Sequence, residues 1–161
     1  MQRMLRDPLG GHQHVAVFGL GSAGLAAVRL LRVLNKSVIA SDGNPAVDVS
    51  RVPDGVETVR GRHELGDATA LVLSPGLNPV WPSNRDNPAL AETWRRWRDG
   101  QLEIWSEIEL AAVAYGGPIV SVGGTDGKST TAALTAHLLK AWGVNARLAG
   151  NSWTPFSEYL A

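Results

Sequence analysis

Short apolar runs alternate with turns and helical stretches along the first hundred residues. The run from Val15 to Leu20 has the length and composition of a strand buried on both faces of a parallel sheet. An Ala/Leu-rich stretch from about residue 23 to residue 34 follows it and predicts a helix. The succession of strand, glycine-rich turn and helix is typical of an α/β sheet.

Further apolar runs predict the other strands of the same sheet. The second strand, 37–42, ends in an aspartate; the third lies in GVETVRG; the fourth runs up to Ser74–Gly76; and LEIW is a short edge strand. We therefore predict a Rossmann-like parallel sheet with helices on both faces, forming a domain over residues 1–105.

A second unit is predicted to begin at residue 106. Ser106 and Glu109 form a capping-box pattern at the start of a helix. PIVSVGG then predicts a strand, KSTTAALTAHLLKAWG a helix and VNARLAGN one more strand. This order predicts that a new strand–loop–helix unit occupies residues 106–161.

Composition narrows the class of protein. The 161 residues include 44% hydrophobic and 19% charged residues, enough to bury a core. Fifteen basic and fifteen acidic residues balance, which gives no support to a nucleic-acid or anionic-membrane surface. With no cysteine, disulfides and thiolate metal sites are excluded. No segment resembles a signal peptide or a membrane span, so a cytoplasmic protein is the expectation.

The turn after the first strand reads GLGSAG. Gly19, Gly21 and Gly24 give the spacing G-x-G-x-x-G, and Asp42 ends the next strand. In a nicotinamide-binding oxidoreductase this pattern holds the diphosphate, and the aspartate holds a ribose. A tight turn in which glycine only permits close packing is the other interpretation, and a strand-end aspartate also serves as a turn former.

The segment GGTDGKST has the character of a phosphate-binding loop. Its glycines allow successive N–H groups to point at an anion, and the helix that begins near Lys128 adds the positive end of its dipole. Lys128 can reach the outer phosphates, Ser129 is placed to bind Mg²⁺, and Thr130 can donate to a phosphate oxygen. A glycine-rich turn with no ligand is the alternative.

The loop departs from the common G-x-x-x-x-G-K-[ST] pattern at Val122, where glycine is usual. With this departure it resembles the ATP loop of the Mur ligase family, the amino-acid-adding enzymes of peptidoglycan synthesis. VLSPGLNPVWP, LEIWSEIEL and LAGNSWTPF resemble further segments of that family. The resemblance runs from about Val15 to Pro155, and it implies that residues 106–161 are the truncated start of a P-loop ATPase domain.

The resemblance implies two groups of binding residues. The predicted ATP and phosphate site consists of Gly124, Thr125, Asp126, Gly127, Lys128, Ser129 and Thr130, with Lys128 catalytic and Ser129 the metal ligand. The predicted UDP-sugar site consists of Gly21, Ser22, Ala23, Asp42, Asn44, Ser74, Pro75, Gly76 and Asn151. Asn44 falls near the place where the family commonly has an arginine beside the uracil.

The activity implied by the resemblance is ATP-dependent and Mg²⁺-dependent amide formation between UDP-N-acetylmuramoyl-L-alanine and D-glutamate. The family's second metal-binding glutamate, a histidine, a modified lysine and a carboxy-terminal domain have no counterpart here, so we expect an N-terminal portion that is inactive alone. The alternatives are a nicotinamide-binding oxidoreductase domain and a non-catalytic nucleotide-sugar-binding module. His63, in the charged turn RGRHEL, is predicted to be solvated.

Overall fold

The computed structural model describes residues 5–77, 81, 84, 86–150 and 153–161. The strands in this part of the chain are β1 (His14–Phe18), β2 (Ser37–Asp42), β3 (Glu57–Arg60), β4 (Ala70–Leu73) and β5 (Glu103–Trp105). The α-helices are α1 (Ser22–Val33), α2 (Pro88–Arg98), α3 (Glu107–Tyr115), α4 (Lys128–Ala141) and α5 (Phe156–Leu160), and a short 3₁₀ helix covers Pro75–Leu77.

The five strands form one sheet in the order β3-β2-β1-β4-β5, and every pair is parallel. The central strand β1 is apolar on both sides because both of its faces are covered. Val15 and Val17 join one hydrophobic cluster, and Ala16 and Phe18 join another. The predicted Rossmann-like α/β sheet is therefore confirmed.

Helices cover the two faces unequally. On one face, α1, α3 and α5 pack together, and Leu30, Leu31 and Leu110 are fully buried between them and the sheet. On the other face, α2 contributes Leu90 to the cluster that contains Phe18. The predicted boundary at residue 105 remains a prediction. Helices α3 and α5, which follow it, pack against the hydrophobic cluster that α1 forms with the first sheet.

Local signals explain where the helices begin. Ser106 and Glu109 make both hydrogen bonds of the predicted capping box, with Glu109 N donating to Ser106 Oγ at 3.2 Å and Ser106 N to Glu109 Oε2 at 2.9 Å. At α2, the Asn87 side chain accepts from the N–H groups of Ala89 and Leu90.

The segment between α3 and α5 differs from the prediction. Residues 118–123 and 144–149 have no strand pairing in the described structure, so the two predicted strands are wrong. Ile119 is 50% exposed and Val120 is 67% exposed, since no described strand lies beside them. Of helix α4, only Ala136 is buried. The sheet of the predicted ATPase domain is thus not formed here.

Helix α5 was not predicted, because its five residues are too few to show a helical period. Within the described residues, no helix combines the length and the apolar character that crossing a membrane requires.

Candidate nucleotide-binding turns

The turn between β1 and α1, which we call the first glycine turn (Gly19–Gly24), is shaped by close packing. Gly19 has φ +92°, a conformation that favours glycine. A Cβ on Gly24 would lie 1.8 Å from the carbonyl oxygen of Gly19. The start of α1 therefore sits directly against the end of β1, and only glycine at position 24 leaves room for this approach.

The end of β4 meets the same turn. A Cβ on Gly19 would lie 2.8 Å from the Cβ of Ser74, and Ser74 N donates to the Phe18 carbonyl at 3.0 Å. Pro75 and Gly76 continue into the 3₁₀ helix, and Gly76 has open space where a side chain would stand. The structure thus brings Ser74, Pro75 and Gly76 to the edge of the sheet that carries the first glycine turn.

The Asp42 carboxylate stabilises this turn by accepting hydrogen bonds from backbone N–H groups. Its Oδ2 accepts from Leu20 N at 2.8 Å and its Oδ1 accepts from Asn44 N at 2.8 Å. Asn44 Oδ1 in turn accepts from Ala46 N at 2.9 Å. Of the two roles considered for Asp42, turn formation is present in the structure, and a contact of Asp42 or Asn44 with a ligand remains a prediction.

The amino end of α1 is open to an anion. Gly21 is the N-cap residue, no side chain caps the helix, and the first turn carries no acidic residue. A Cβ on Gly21 would meet no atom within 4 Å. The N–H groups of Ser22 and Ala23 lie in this first turn, where helix backbone donors have no partner within the helix. The site combines unpaired donors with the positive end of the helix dipole.

His63 is buried, so the prediction that it is solvated is wrong. Its side chain stacks on the Phe18 ring with centroids 4.9 Å apart, and 9% of the residue is exposed. Its Nδ1 is buried without a hydrogen-bond partner. Burial lowers the pKa of His63, against the opposing influence of the Asp42 carboxylate and the Ser41 backbone. The charged neighbours of His63 in the sequence suggest exposure, whereas its stacking partner, Phe18, lies on β1, forty-five residues earlier.

Two glycines of the phosphate loop, Gly123–Thr130, adopt backbone conformations that favour glycine. Gly124 has φ +143° and Gly127 has φ +73°, and α4 begins at Lys128 with no side-chain cap and no acidic residue in its first turn. All residues of the loop are exposed. Lys128 Nζ donates to the Thr125 carbonyl at 2.7 Å, so the ammonium lies over the loop. The open helix end and the lysine fit a polyphosphate.

Ser129 and Asn151 are the two remaining predicted binding residues. Ser129 is the second residue of α4, at the end where phosphates would bind. In the described part of the chain, no group of three or more His, Cys, Asp or Glu residues could hold a metal ion. Asn151 lies outside the described residues, and Gly150 beside it has φ +117°.

The sheet order and the first glycine turn define an α/β protein of the Rossmann-like type. No protein-family model matches the chain. Curated proteins named UDP-N-acetylmuramoylalanine--D-glutamate ligase do match it. The protein of Alkaliphilus metalliredigens is 34% identical over 157 residues, which is 91% of this chain and 32% of the relative. That of Nitratidesulfovibrio vulgaris is 36% identical over 166 residues, 94% of this chain and 34% of the relative. A Lactococcus lactis relative is 31% identical over 91% of the chain.

The chain spans about a third of the length of the curated relatives it matches. The match confirms the resemblance to these ligases of the Mur ligase family and is consistent with their N-terminal portion.

Proposed function

We propose that this chain is the UDP-sugar-binding and ATP-loop portion of a ligase that adds D-glutamate to UDP-N-acetylmuramoyl-L-alanine in peptidoglycan synthesis. The observation that carries the proposal is the similarity over nine-tenths of the chain to proteins with that name. The open amino ends of α1 and α4 support it, since each offers backbone donors to a phosphate group.

In the proposed UDP-sugar site, the N–H groups of Ser22 and Ala23 hold the diphosphate. Gly21 keeps the approach to them open, because it places no side chain in front of the helix end. Asp42 holds the turn in place through Leu20 N. Ser74, Pro75 and Gly76 form the neighbouring wall of the site. Asn44 and Asn151 are the proposed contacts to the uracil and the sugar.

In the proposed ATP site, the loop from Gly124 to Thr130 holds the phosphates. Bound ATP with Mg²⁺ would supply the phosphoryl group that activates the substrate carboxylate. The Lys128 ammonium donates one hydrogen bond to the Thr125 carbonyl and has two further N–H donors with which to neutralise phosphate charge, and Ser129 is the proposed Mg²⁺ ligand. Asp126 lies in the loop two residues before the helix and is exposed.

Calorimetry tests the first site. We expect binding of UDP-N-acetylmuramoyl-L-alanine and no binding of NADH or NADPH. Replacing Ser22 or Gly76 by leucine should weaken that binding, because both positions are open to the proposed ligand, whereas Lys128→Ala should leave it intact. Binding of a nicotinamide cofactor without a response to the UDP-sugar would overturn the proposal in favour of an oxidoreductase domain.

Phosphate release tests catalysis. In the described residues no group of three or more His, Cys, Asp or Glu could hold a metal ion, and catalysis needs more than the proposed phosphate site. We therefore expect the 161-residue chain to bind substrates without turning them over. Release that needs all three substrates and disappears in Lys128→Ala would show a competent ligase. UDP-sugar binding without any affinity for ATP and Mg²⁺ would instead favour a non-catalytic nucleotide-sugar-binding module.

A further inference from the structure

The buried ring of His63 lies against the strand that leads into the first glycine turn. It stacks on Phe18, the last residue of β1, at an interplanar angle of 26°. A Cβ on Gly43, the residue after β2, would lie 3.4 Å from His63 Nε2. The ring therefore contacts the end of β1 and lies beside the backbone that follows β2, next to the two strand ends that border the turn.

The segment that carries His63 is attached to the end of β2. Asp42 and Arg62 form an isolated antiparallel backbone bridge, and Glu64 N donates to the Oγ of buried Ser41 at 3.1 Å. His63 lies between these two contacts along the chain, so a displacement of its ring acts on residues 41 and 42. A change at His63 is therefore transmitted to the aspartate that stabilises the turn.

His63 is poorly placed to accept a second proton. In the described part of the chain, its Nδ1 is the one buried side-chain nitrogen or oxygen without a hydrogen-bond partner. A neutral imidazole has one donor nitrogen and one acceptor nitrogen, whereas an imidazolium carries an N–H group on both. A proton added here would leave a buried cation with an unpaired donor, which is costly. Burial accordingly lowers the pKa of His63.

Asp42 is the charged group that acts on the His63 ring. The end of β1 carries no charged residue; those of the adjoining segments are Asp42 at the end of β2, Arg60 at the end of β3, and Arg62 and Glu64 on either side of His63. Arg62 and Glu64 pair with each other at 2.8 Å, whereas Asp42 favours the protonated ring. Both Asp42 oxygens already accept backbone N–H groups, one of them from Leu20. A protonated His63 therefore competes with the Leu20 N–H for this carboxylate.

We propose that neutral His63 is a positioning residue for the first glycine turn, and that its protonation weakens the binding of a nucleoside-diphosphate sugar there. The inference rests on the proposed function. The added proton either draws the Asp42 carboxylate away from Leu20 N or moves the ring off Phe18. Both changes loosen the turn that presents backbone donors to the diphosphate. Affinity is therefore fully present above the ordinary pKa of a histidine and is lost as the pH falls through the folded-state pKa of His63.

Calorimetry on the full chain at a series of pH values tests this coupling. The probe is UDP-N-acetylmuramoyl-L-alanine, whose diphosphate diester and carboxylate keep their charge between about pH 8 and pH 5. Its affinity for the wild-type chain should fall about fivefold over this range, the equivalent of one hydrogen bond. His63→Phe keeps a ring against Phe18 but cannot be protonated, so its affinity should not change with pH. His137→Phe, in exposed α4, is the matched control and should retain the wild-type pH dependence.

Nuclear magnetic resonance of the wild-type chain provides a readout that a purely packing role for His63 would not produce. The amide signal of Leu20 should shift with the same pH midpoint as the His63 ring. Bound UDP-sugar should lower the pKa of His63 further, because coupling between two sites is reciprocal. A diphosphate that acted only as a nearby negative charge would raise this pKa instead, and that result would overturn the inference.

The remaining outcomes separate the inference from the proposed function. If the wild-type chain binds the UDP-sugar equally well at all these pH values, the inference is wrong and the proposed function stands. A pH dependence that persists in His63→Phe has the same meaning, since other groups then cause it. Should His63→Phe fail to fold, the titration of the Leu20 amide decides. If the wild-type chain binds no UDP-sugar at any of these pH values, the proposed function is wrong and the inference falls with it.

Discussion

The first glycine turn and the phosphate loop are similar in sequence and different in their surroundings. A Cβ on Gly24 in the first turn would collide with backbone at 1.8 Å, whereas a Cβ on Gly123 or Gly127 in the phosphate loop would meet nothing within 4 Å. Helix α1 buries seven residues and helix α4 buries one. The first turn is therefore fixed by the core around it, whereas the phosphate loop is exposed along its whole length.

Both turns nevertheless lead into an open helix amino terminus. Both helices lack a side-chain cap and an acidic residue in the first turn. Anion binding at a helix end needs this opening but not a buried helix. The chemistry of a glycine turn and the stability of the structure around it are therefore independent properties, although one sequence motif is used to predict both.

The largest effect should come from Gly24→Ala. The added methyl group would force α1 away from β1, and we expect the free energy of unfolding to fall by at least about 3 kcal/mol, measured by urea denaturation. The matched control is Gly123→Ala, which has open space and should change stability by less than about 0.5 kcal/mol. Equal losses at the two positions would show that the phosphate loop is as tightly packed as the first turn.

Asp42→Ala should have the next largest effect on stability. It removes the acceptor for the N–H groups of Leu20 and Asn44, and we expect a loss of about 2 kcal/mol in the free energy of unfolding. Asp42→Asn keeps one acceptor oxygen and should lose less. Asp126→Ala in the exposed phosphate loop is the control, with an expected change within about 0.5 kcal/mol. An unchanged stability in Asp42→Ala would mean that the carboxylate is kept for ligand contact alone.

The first sheet could be predicted from sequence because its signals are local and agree with one another. Val15–Phe18 is apolar without interruption, Gly24 lies at the strand–helix junction, and Ser106 with Glu109 marks the start of α3. The edge shared by Ser74 and the first glycine turn followed from parallel pairing alone.

The missing strands and the burial of Glu107 and His63 depend on contacts between residues far apart in the sequence, which a local pattern does not contain. Residues 118–123 are apolar enough for a strand, but a strand forms only beside a neighbour, and none lies there in the described part of the chain. The burial of Glu107 follows from Ser157, fifty residues later. His63 was misjudged for the same reason, because the aromatic surface that covers it comes from Phe18.

His63 provides a pH-dependent test with a smaller effect. Burial lowers its pKa in the folded protein below the ordinary value of 6.5, so the unfolded chain binds more protons than the folded chain as the pH falls below 6.5. The stability due to the neutral form is therefore fully present above pH 6.5 and is lost as the pH falls through the folded-state pKa. We expect His63→Leu to flatten the dependence of unfolding free energy on pH between 7 and 5, measured by urea denaturation. His137→Leu in exposed α4 is the control and should retain the slope. An equally steep slope in His63→Leu would show that other groups cause the pH dependence.

Lys128→Ala, in the phosphate loop, should have the smallest effect on stability. The ammonium is exposed, and its hydrogen bond to the Thr125 carbonyl lies at the surface, so we expect the free energy of unfolding to stay within about 0.5 kcal/mol of wild type. Binding of ATP with Mg²⁺, measured by calorimetry, should nevertheless weaken at least about tenfold, since a cation next to transferred phosphates is lost. Lys140→Ala, at the opposite end of α4, is the matched control for the loss of one lysine and should leave ATP binding unchanged. A loss of stability in Lys128→Ala close to that of Gly24→Ala would mean that the lysine supports the loop structurally. A stable Lys128→Ala chain that has lost ATP binding would show that the exposed turn performs its chemistry without support from a core.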